Sequence, residues 1–239
     1  MHPARGSASV APYNHGSMGG PLVGLIQAIS RGSIEDAITY LIVIVVILLV
    51  AFPLHELAHA LVADYFGDPT PRRAGRITLN PIRHLSLLGS ILFLVFGFGW
   101  ATTPINPSYF RGDQRAKHAA VAIAGPLMNV AIALVFTLLY HLSGALLGEG
   151  AGAVSYIVRM ACIFAVNINL FLAFFNLIPM PPLDGGTILM SFASEGVRAV
   201  YAQFGQYGFI ILLLLSQTGL IGLLVTQPAY DLAQWLLRL

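Results

Sequence analysis

Residues 37–66 have the sequence AITYLIVIVVILLVAFPLHELAHALVADYF, an apolar run that carries two histidines and one glutamate in its second half. No charged side chain occurs from Ala37 through Leu54. A membrane-spanning helix needs about 20 consecutive apolar residues, so this helix must continue beyond residue 55 to complete a crossing. Pro53 removes one backbone donor, and we expect a kink or a local opening immediately before His55. The stretch therefore predicts a transmembrane helix with ionisable groups at membrane depth.

The composition of the whole chain is that of a membrane protein. Of its 239 residues, 57% are hydrophobic and 9% are charged, and its mean hydropathy is +0.79. A soluble domain carries about 25% charged residues, so this chain cannot cover a water-facing surface. This composition excludes a soluble enzyme and a disordered chain. A disulfide scaffold is excluded too, since Cys162 is the single cysteine and cannot form an internal disulfide. The net charge of +2, with no basic stripe, argues against a nucleic-acid partner.

Further apolar stretches predict an all-α polytopic membrane protein with about four to six transmembrane helices. The clearest additional spans are Ala119–Tyr140, Met160–Leu183 and Gly205–Val225. Glycines and prolines interrupt residues 97–107, which predicts a short re-entrant or β-like segment there. Residues 1–33 are rich in Gly, Ser and Pro and predict a mostly mobile tail, and residues 34–239 form the transmembrane domain.

The distribution of basic residues predicts the orientation. Seven of the twelve Lys and Arg lie between the first span and Ala119: Arg72, Arg73, Arg76, Arg83, Arg111, Arg115 and Lys117. The positive-inside rule places both connecting loops on the cytoplasmic side. This requires residues 85–99 to enter the membrane and return, or to form strands, because one full crossing would separate the loops.

The residues with the clearest chemistry are His55-Glu56-Leu57-Ala58-His59. Histidines at i and i+4 lie on one face of a helix, so both imidazoles can reach one Zn²⁺. The glutamate can then act as a base on a water that the metal activates. The alternative is a set of hydrogen-bonded structural side chains. It is disfavoured because three ionisable groups within five residues of a membrane helix are costly unless they are paired, hydrated or bound to metal.

A catalytic zinc needs a third protein ligand and one open position. The candidates are Asp68, His84, Asp113, His118, His141 and Asp184. Asp184 stands out because twenty-four uncharged residues precede it and Gly185-Gly186 follow it. The flanking prolines and glycines interrupt the helix and let the carboxylate turn inward, although a turn or a helix-capping role remains open.

Together these motifs resemble the site-2 protease family of intramembrane metalloproteases, in its compact prokaryotic form without a PDZ domain. The resemblance rests on the HExxH motif at 55–59, Leu183-Asp184-Gly185, Gly125-Pro126-Leu127-Met128-Asn129, Gly75–Pro81, Gly99-Trp100-Ala101 and Asn176–Pro179. It covers roughly residues 45–195, and the metal-site elements occur in the order found in the family.

The resemblance implies one zinc ion per chain, with His55, His59 and Asp184 as ligands and Glu56 as the catalytic base. It places Asn129 near the metal, where an amide N–H can position the substrate or stabilise an oxyanion. The alternative for Asn129 is an interhelical hydrogen bond, with Gly125 allowing close approach of the helices. Among the asparagines of the preceding helix, only Asn176 is expected near enough to support the site.

The implied function is hydrolysis of peptide bonds in or near transmembrane segments of single-span membrane proteins. The implied location is a prokaryotic cell membrane, with the lipid bilayer as partner and the site towards the cytoplasm. Residues 97–106 are expected either to pair with an unwound substrate as an added strand or to pack as a re-entrant loop. Two other functions stay open: a catalytically silent metal-binding protein and a metal transporter. The first should have lost Glu56 or a ligand, and the second should carry ionisable groups at several depths.

Overall fold

The computed structural model describes residues 20–96, 103–147 and 152–238, which are mostly helical and contain no β-strand. In chain order the helices are α1 (Pro21–Ser30), α2 (Ile34–Val46), α3 (Phe52–Tyr65), α4 (Thr70–Arg73), α5 (Leu87–Phe96), α6 (Gln114–Leu147), α7 (Gly152–Asn176), α8 (Asp184–Phe192), α9 (Glu195–Gly205), α10 (Gly208–Gln217) and α11 (Gln227–Arg238). Two π-helical segments (Ile47–Ala51 and Gly222–Thr226) and two 3-10 turns (Pro81–Arg83 and Pro107–Tyr109) complete the regular structure of these residues. The predicted all-α class is confirmed.

Three stretches of these residues are long and apolar enough to cross a membrane: Asp36–Tyr65, Gln114–Leu146 and Ile157–Asn176. A fourth crossing is present if α9 and α10, which meet at an angle of 75°, count as one bent span. The protein is therefore a multi-pass membrane protein.

The first span changes its helical geometry just before the predicted metal-binding residues. α2 leads into the π-helical segment Ile47–Ala51, and α3 begins at Phe52 with Pro53 in its first turn. Proline has no N–H, so the carbonyl of Leu49 lacks its usual α-helical partner and the turn widens. The local opening predicted before His55 is confirmed in this form.

The two long helices α6 and α7 pack against each other and form the centre of the bundle, and α3 and α8 both pack on α6. α6 contains 34 residues. At 1.5 Å per residue it is about 51 Å long, which exceeds a hydrocarbon thickness of about 30 Å. Small residues permit close helix contact in a membrane: buried Ala63 of α3 packs in a cluster with Val121 of α6, and buried Ala133 of α6 packs in a cluster with Val166 of α7.

The helices of the C-terminal third are shorter and interrupted more often than the sequence predicted. The span predicted over Met160–Leu183 ends at Asn176, and a turn separates it from α8. The continuous span predicted over Gly205–Val225 is wrong, because α10 ends at Gln217 and the π-helical segment begins only at Gly222. Gly219, with φ of +78°, supplies the left-handed residue that ends the helix.

The predicted N-terminal tail and the predicted segment that enters the membrane and returns are described only in part. Residues 21–30 of the predicted mobile tail instead form α1, which packs against α2 and α5, and residues 1–19 lie outside the described part. α5 has ten residues and is about 15 Å long. This is about half the thickness of the hydrocarbon core, a length that suits a segment which enters the membrane and returns to the same side. Of the predicted re-entrant or β-like segment, residues 97–102 lie outside the described residues, and 103–106 have no regular structure.

Candidate metal centre

α3 presents both histidines of the HExxH motif to the interior of the bundle. His55 and His59 are 7% and 5% exposed, and their Nε2 atoms lie 3.0 Å apart. The spacing of four residues places them one turn apart on the same helix face. The sequence prediction that both imidazoles point to one place is therefore met by the geometry.

Asp184, 125 residues after His59 in the chain, completes the cluster. Its Oδ2 lies 3.2 Å from His55 Nε2, and its Oδ1 lies 3.4 Å from His59 Nε2. Asp184 is the first residue of α8, where the chain folds back closely on itself. A Cβ at Gly185 would overlap the backbone of Leu177 and come within 2.5 Å of Ile178 O. Glycine at 185 thus permits the close turn that directs the carboxylate inward.

Hydrogen bonds orient both imidazole rings. Nδ1–H of His55 donates to Asn129 Oδ1 at 2.6 Å, and Nδ1–H of His59 donates to the carbonyl oxygen of Val121 at 2.7 Å. A neutral imidazole carries one proton, so both Nε2 atoms are left as lone-pair acceptors. These are the partners that orient histidine ligands at metal sites.

The donor set fits a zinc ion. His55, His59 and Asp184 each contribute a ligand atom within 4.8 Å of the others, and among the described residues they form the one such group of three or more. Asp184 Oδ2 is buried and accepts no hydrogen bond, and it faces the lone pairs of the Nε2 atoms with no donor between them. Ligand atoms grouped in this way fit a cation, and two imidazoles with one carboxylate leave a fourth position open on Zn²⁺.

Gly125 of α6 lies directly against the two histidine rings. A Cβ at this position would overlap His59 Nε2 and lie 2.6 Å from His55 Nε2. The absent side chain is what allows α6 to carry the hydrogen-bond acceptors for both rings. The close approach expected at Gly125 is confirmed.

Asn129 is fully buried, and its amide bonds at both ends within the protein. Oδ1 accepts from His55, and Nδ2 donates to Asn169 Oδ1 at 3.4 Å. This pattern favours the alternative expected for Asn129, an interhelical hydrogen bond, over donation to an oxyanion. The expectation about the neighbouring helix was wrong: Asn169 supports the site, whereas Asn176 Nδ2 donates within α7 to Leu172 O.

Glu56 lies between the two histidines in sequence and is 5% exposed. Its Oε2 accepts a hydrogen bond of 2.6 Å from Thr103 Oγ1, and its side chain does not belong to the three-residue cluster. Thr103 could not be identified from the sequence beyond its place in the Gly/Pro-rich segment. Val121 could not be found either, because it acts through a backbone carbonyl that every residue possesses.

The remaining histidine and aspartate candidates lie away from the cluster. Asp68, His84, Asp113 and His141 make hydrogen bonds to backbone groups, and His118 lines a cavity that Leu183 and Gly186 also line. Their sequence positions at the ends of apolar runs were compatible with these structural roles.

A helical membrane fold with a buried His-His-Asp cluster and an adjacent glutamate defines a class, the multi-pass membrane metallopeptidases. A model of peptidase family M50 matches residues 150–216, which include Asp184. Over 178 residues the chain is 44% identical to "Putative zinc metalloprotease YwhC" of Bacillus subtilis (strain 168), a match that covers 74% of this chain and 81% of the relative. The chain therefore belongs to peptidase family M50.

More distant relatives have names of the same kind. "Putative zinc metalloprotease MJ0611" of Methanocaldococcus jannaschii is 38% identical over 141 residues, 58% of this chain and 64% of the relative. "Putative zinc metalloprotease Rip2" of Mycobacterium tuberculosis (strain H37Rv) is 28% identical over 225 residues, 88% and 82% respectively. No solved structure matches the chain. The predicted family and cofactor are confirmed, and the protein is a zinc metalloprotease.

Proposed function

We propose that this metalloprotease hydrolyses peptide bonds in or near the transmembrane segments of membrane-protein substrates, from a site that opens to the cytoplasmic side of a prokaryotic cell membrane. The observation that carries the proposal is the position of the cluster. His55, Glu56 and His59 lie within the 30-residue candidate span Asp36–Tyr65, between ten and six residues before its end. At 1.5 Å per residue, the histidines are about 9 to 15 Å along the helix from Tyr65.

In this proposal His55, His59 and Asp184 hold the zinc ion, and Glu56 is the catalytic base. When bound, zinc supplies Lewis-acid polarisation of the scissile carbonyl and makes a water molecule acidic enough to attack at neutral pH. Glu56 accepts the proton of the attacking water and returns it to the departing amine. Asn129 acts as a positioning residue, since its Oδ1 holds the His55 ring with Nε2 directed at the cluster.

A hydrolase at membrane depth requires a route for water. A cavity of about 490 Å³ lies beside Asp184, because Leu183 and Gly186 line it. Its wall also carries Arg115 and Arg198, charged groups that are costly to bury in lipid and indicate contact with water. Arg115 is one of the seven basic residues whose positions predict the cytoplasmic side. The cavity therefore supports water entry from that side.

Cleavage of purified single-span substrates tests the function. In detergent, the wild-type protein is expected to cut such substrates within or next to the apolar segment, as mapped by mass spectrometry of the fragments. Removal of zinc with a chelator is expected to abolish the cutting, and added zinc to restore it, because the three ligands need the ion to form a working site. Cuts confined to water-exposed loops far from the span, or cutting that survives full zinc removal, would contradict the proposal.

The orientation can be tested on the two ends of α6. In a Cys162→Ala background, a cysteine at Arg115 is expected to react with a membrane-impermeant maleimide in inside-out vesicles but not in intact cells. A cysteine at Leu146, which is 80% exposed at the opposite end, serves as the matched control and should show the reverse. Thr187→Cys, on the cavity wall, should react from the same side as Arg115→Cys. Labelling of Arg115→Cys in intact cells would overturn the cytoplasmic assignment.

A further inference from the structure

Thr103 is the residue that contacts the carboxylate of Glu56 from outside α3. Its Oγ1 lies 2.6 Å from Glu56 Oε2 and 3.2 Å from the backbone oxygen of the same residue. A hydroxyl has one proton to donate, and the shorter contact has the length typical of an O–H···O⁻ bond to an ionised carboxylate. Among the described residues, no second side-chain donor to this carboxylate is found.

The segment that carries Thr103 is anchored independently at its other end. The backbone N–H of Asn106 donates to Asp68 Oδ2 at 2.6 Å, and Asp68 is fully buried just beyond the end of α3. Asp68 Oδ1 accepts from the backbone N–H of Thr70 at 2.9 Å, which fixes the carboxylate itself. Residues 103–106 are thus held against α3 at both ends, so the Thr103 hydroxyl reaches Glu56 from a fixed position.

We propose that Thr103 is a positioning residue for hydrolysis, whose hydroxyl holds Oε2 of Glu56 and leaves Oε1 as the oxygen that accepts and returns the proton. This inference rests on the proposed function, because it assigns a role only if Glu56 is the base. A glutamate side chain has several rotatable bonds, and a general base is efficient only within hydrogen-bond reach of the proton it takes. Fixing one oxygen restricts the other to a small volume beside the histidines.

The alternative is that Thr103 only fastens the 103–106 segment to α3. In that case its loss would resemble the loss of the Asp68 anchor and would act on folding or substrate binding. A positioning role instead acts on the chemical step alone. The two roles therefore differ in the kinetic constant that changes.

The experiment compares Thr103→Val, which keeps the shape and removes the hydroxyl, with Thr103→Ser, which keeps the hydroxyl. Thr103→Val is expected to lower kcat by about tenfold or more, the effect of losing one hydrogen bond to a charged group, with KM within about twofold and unchanged zinc content. Thr103→Ser should restore kcat to within about threefold of wild type. Asp68→Asn is the control for a loosened segment and should alter thermal stability or KM rather than kcat alone.

Three outcomes would overturn the role of Thr103: wild-type kcat in Thr103→Val, a change confined to KM, or a Thr103→Ser enzyme as slow as Thr103→Val. In each of these the wild-type enzyme still cuts its substrate and the proposed function stands. If the wild-type enzyme cuts nothing, or if Glu56→Gln cuts normally, the proposed function fails and the role of Thr103 fails with it.

Discussion

Replacing Glu56 by glutamine is expected to lower kcat by about 100-fold or more, the usual contribution of a general acid–base residue. Glutamine has nearly the same shape, and its amide oxygen can still accept the hydrogen bond from Thr103 Oγ1. The amide cannot take a proton from water at neutral pH or return one to an amine. Because Glu56 is not part of the three-residue cluster, zinc content should stay at wild-type level.

The measurement is kcat on a single-span substrate together with zinc content of the same purified sample. Asp184→Ala is the comparison variant, since it removes a cluster carboxylate and leaves Glu56 in place. It should lose both zinc and activity, whereas Glu56→Gln should lose activity alone. Normal cutting by Glu56→Gln would remove Glu56 from the mechanism, and full zinc retention by Asp184→Ala would remove Asp184 from the ligand set.

The part of the site that is local in sequence could be predicted from the sequence. The i, i+4 spacing of His55 and His59 fixes their common face in any α-helix, and the uncharged run before them fixes the membrane setting. Pro53 predicted the change of helical geometry because the missing N–H is a property of the residue itself. These inferences need no knowledge of how the helices pack.

The part that depends on packing could be predicted only in outline. Asp184 was selected by its place in a Pro/Gly-rich turn and by family resemblance, because nothing local shows that the first residue of α8 lies beside the histidines of α3. The choice of Asn176 over Asn169 failed for the same reason: which asparagine meets Asn129 depends on the rotation of α7 against α6. Hydropathy also overlooked the break after Gln217, where Thr218 and Gly219 are too few to interrupt an apolar average.

Replacing Gly125 by alanine is expected to lower zinc affinity and activity by at least about 10- to 100-fold, the effect of disturbing the groups that orient metal ligands. The added methyl would overlap His59 Nε2 and sit 2.6 Å from His55 Nε2. Either the rings turn away or α6 moves outward. Each response breaks the hydrogen bonds that Asn129 and Val121 make to the two imidazoles.

Gly144→Ala is a matched control on the same helix, because its new Cβ would meet only Arg159 Nη1 at an ordinary 3.9 Å. Alanine favours a helix over glycine by about 0.5–1 kcal/mol, so the backbone preference is the same in both variants and only Gly125→Ala adds a steric overlap. A fall in zinc content and kcat for Gly125→Ala, with both unchanged for Gly144→Ala, isolates the steric effect at the cluster. Wild-type zinc content and activity in Gly125→Ala would mean that the space at Gly125 is not needed by the metal centre, and that the α3–α6 contact holds the rings in some other way.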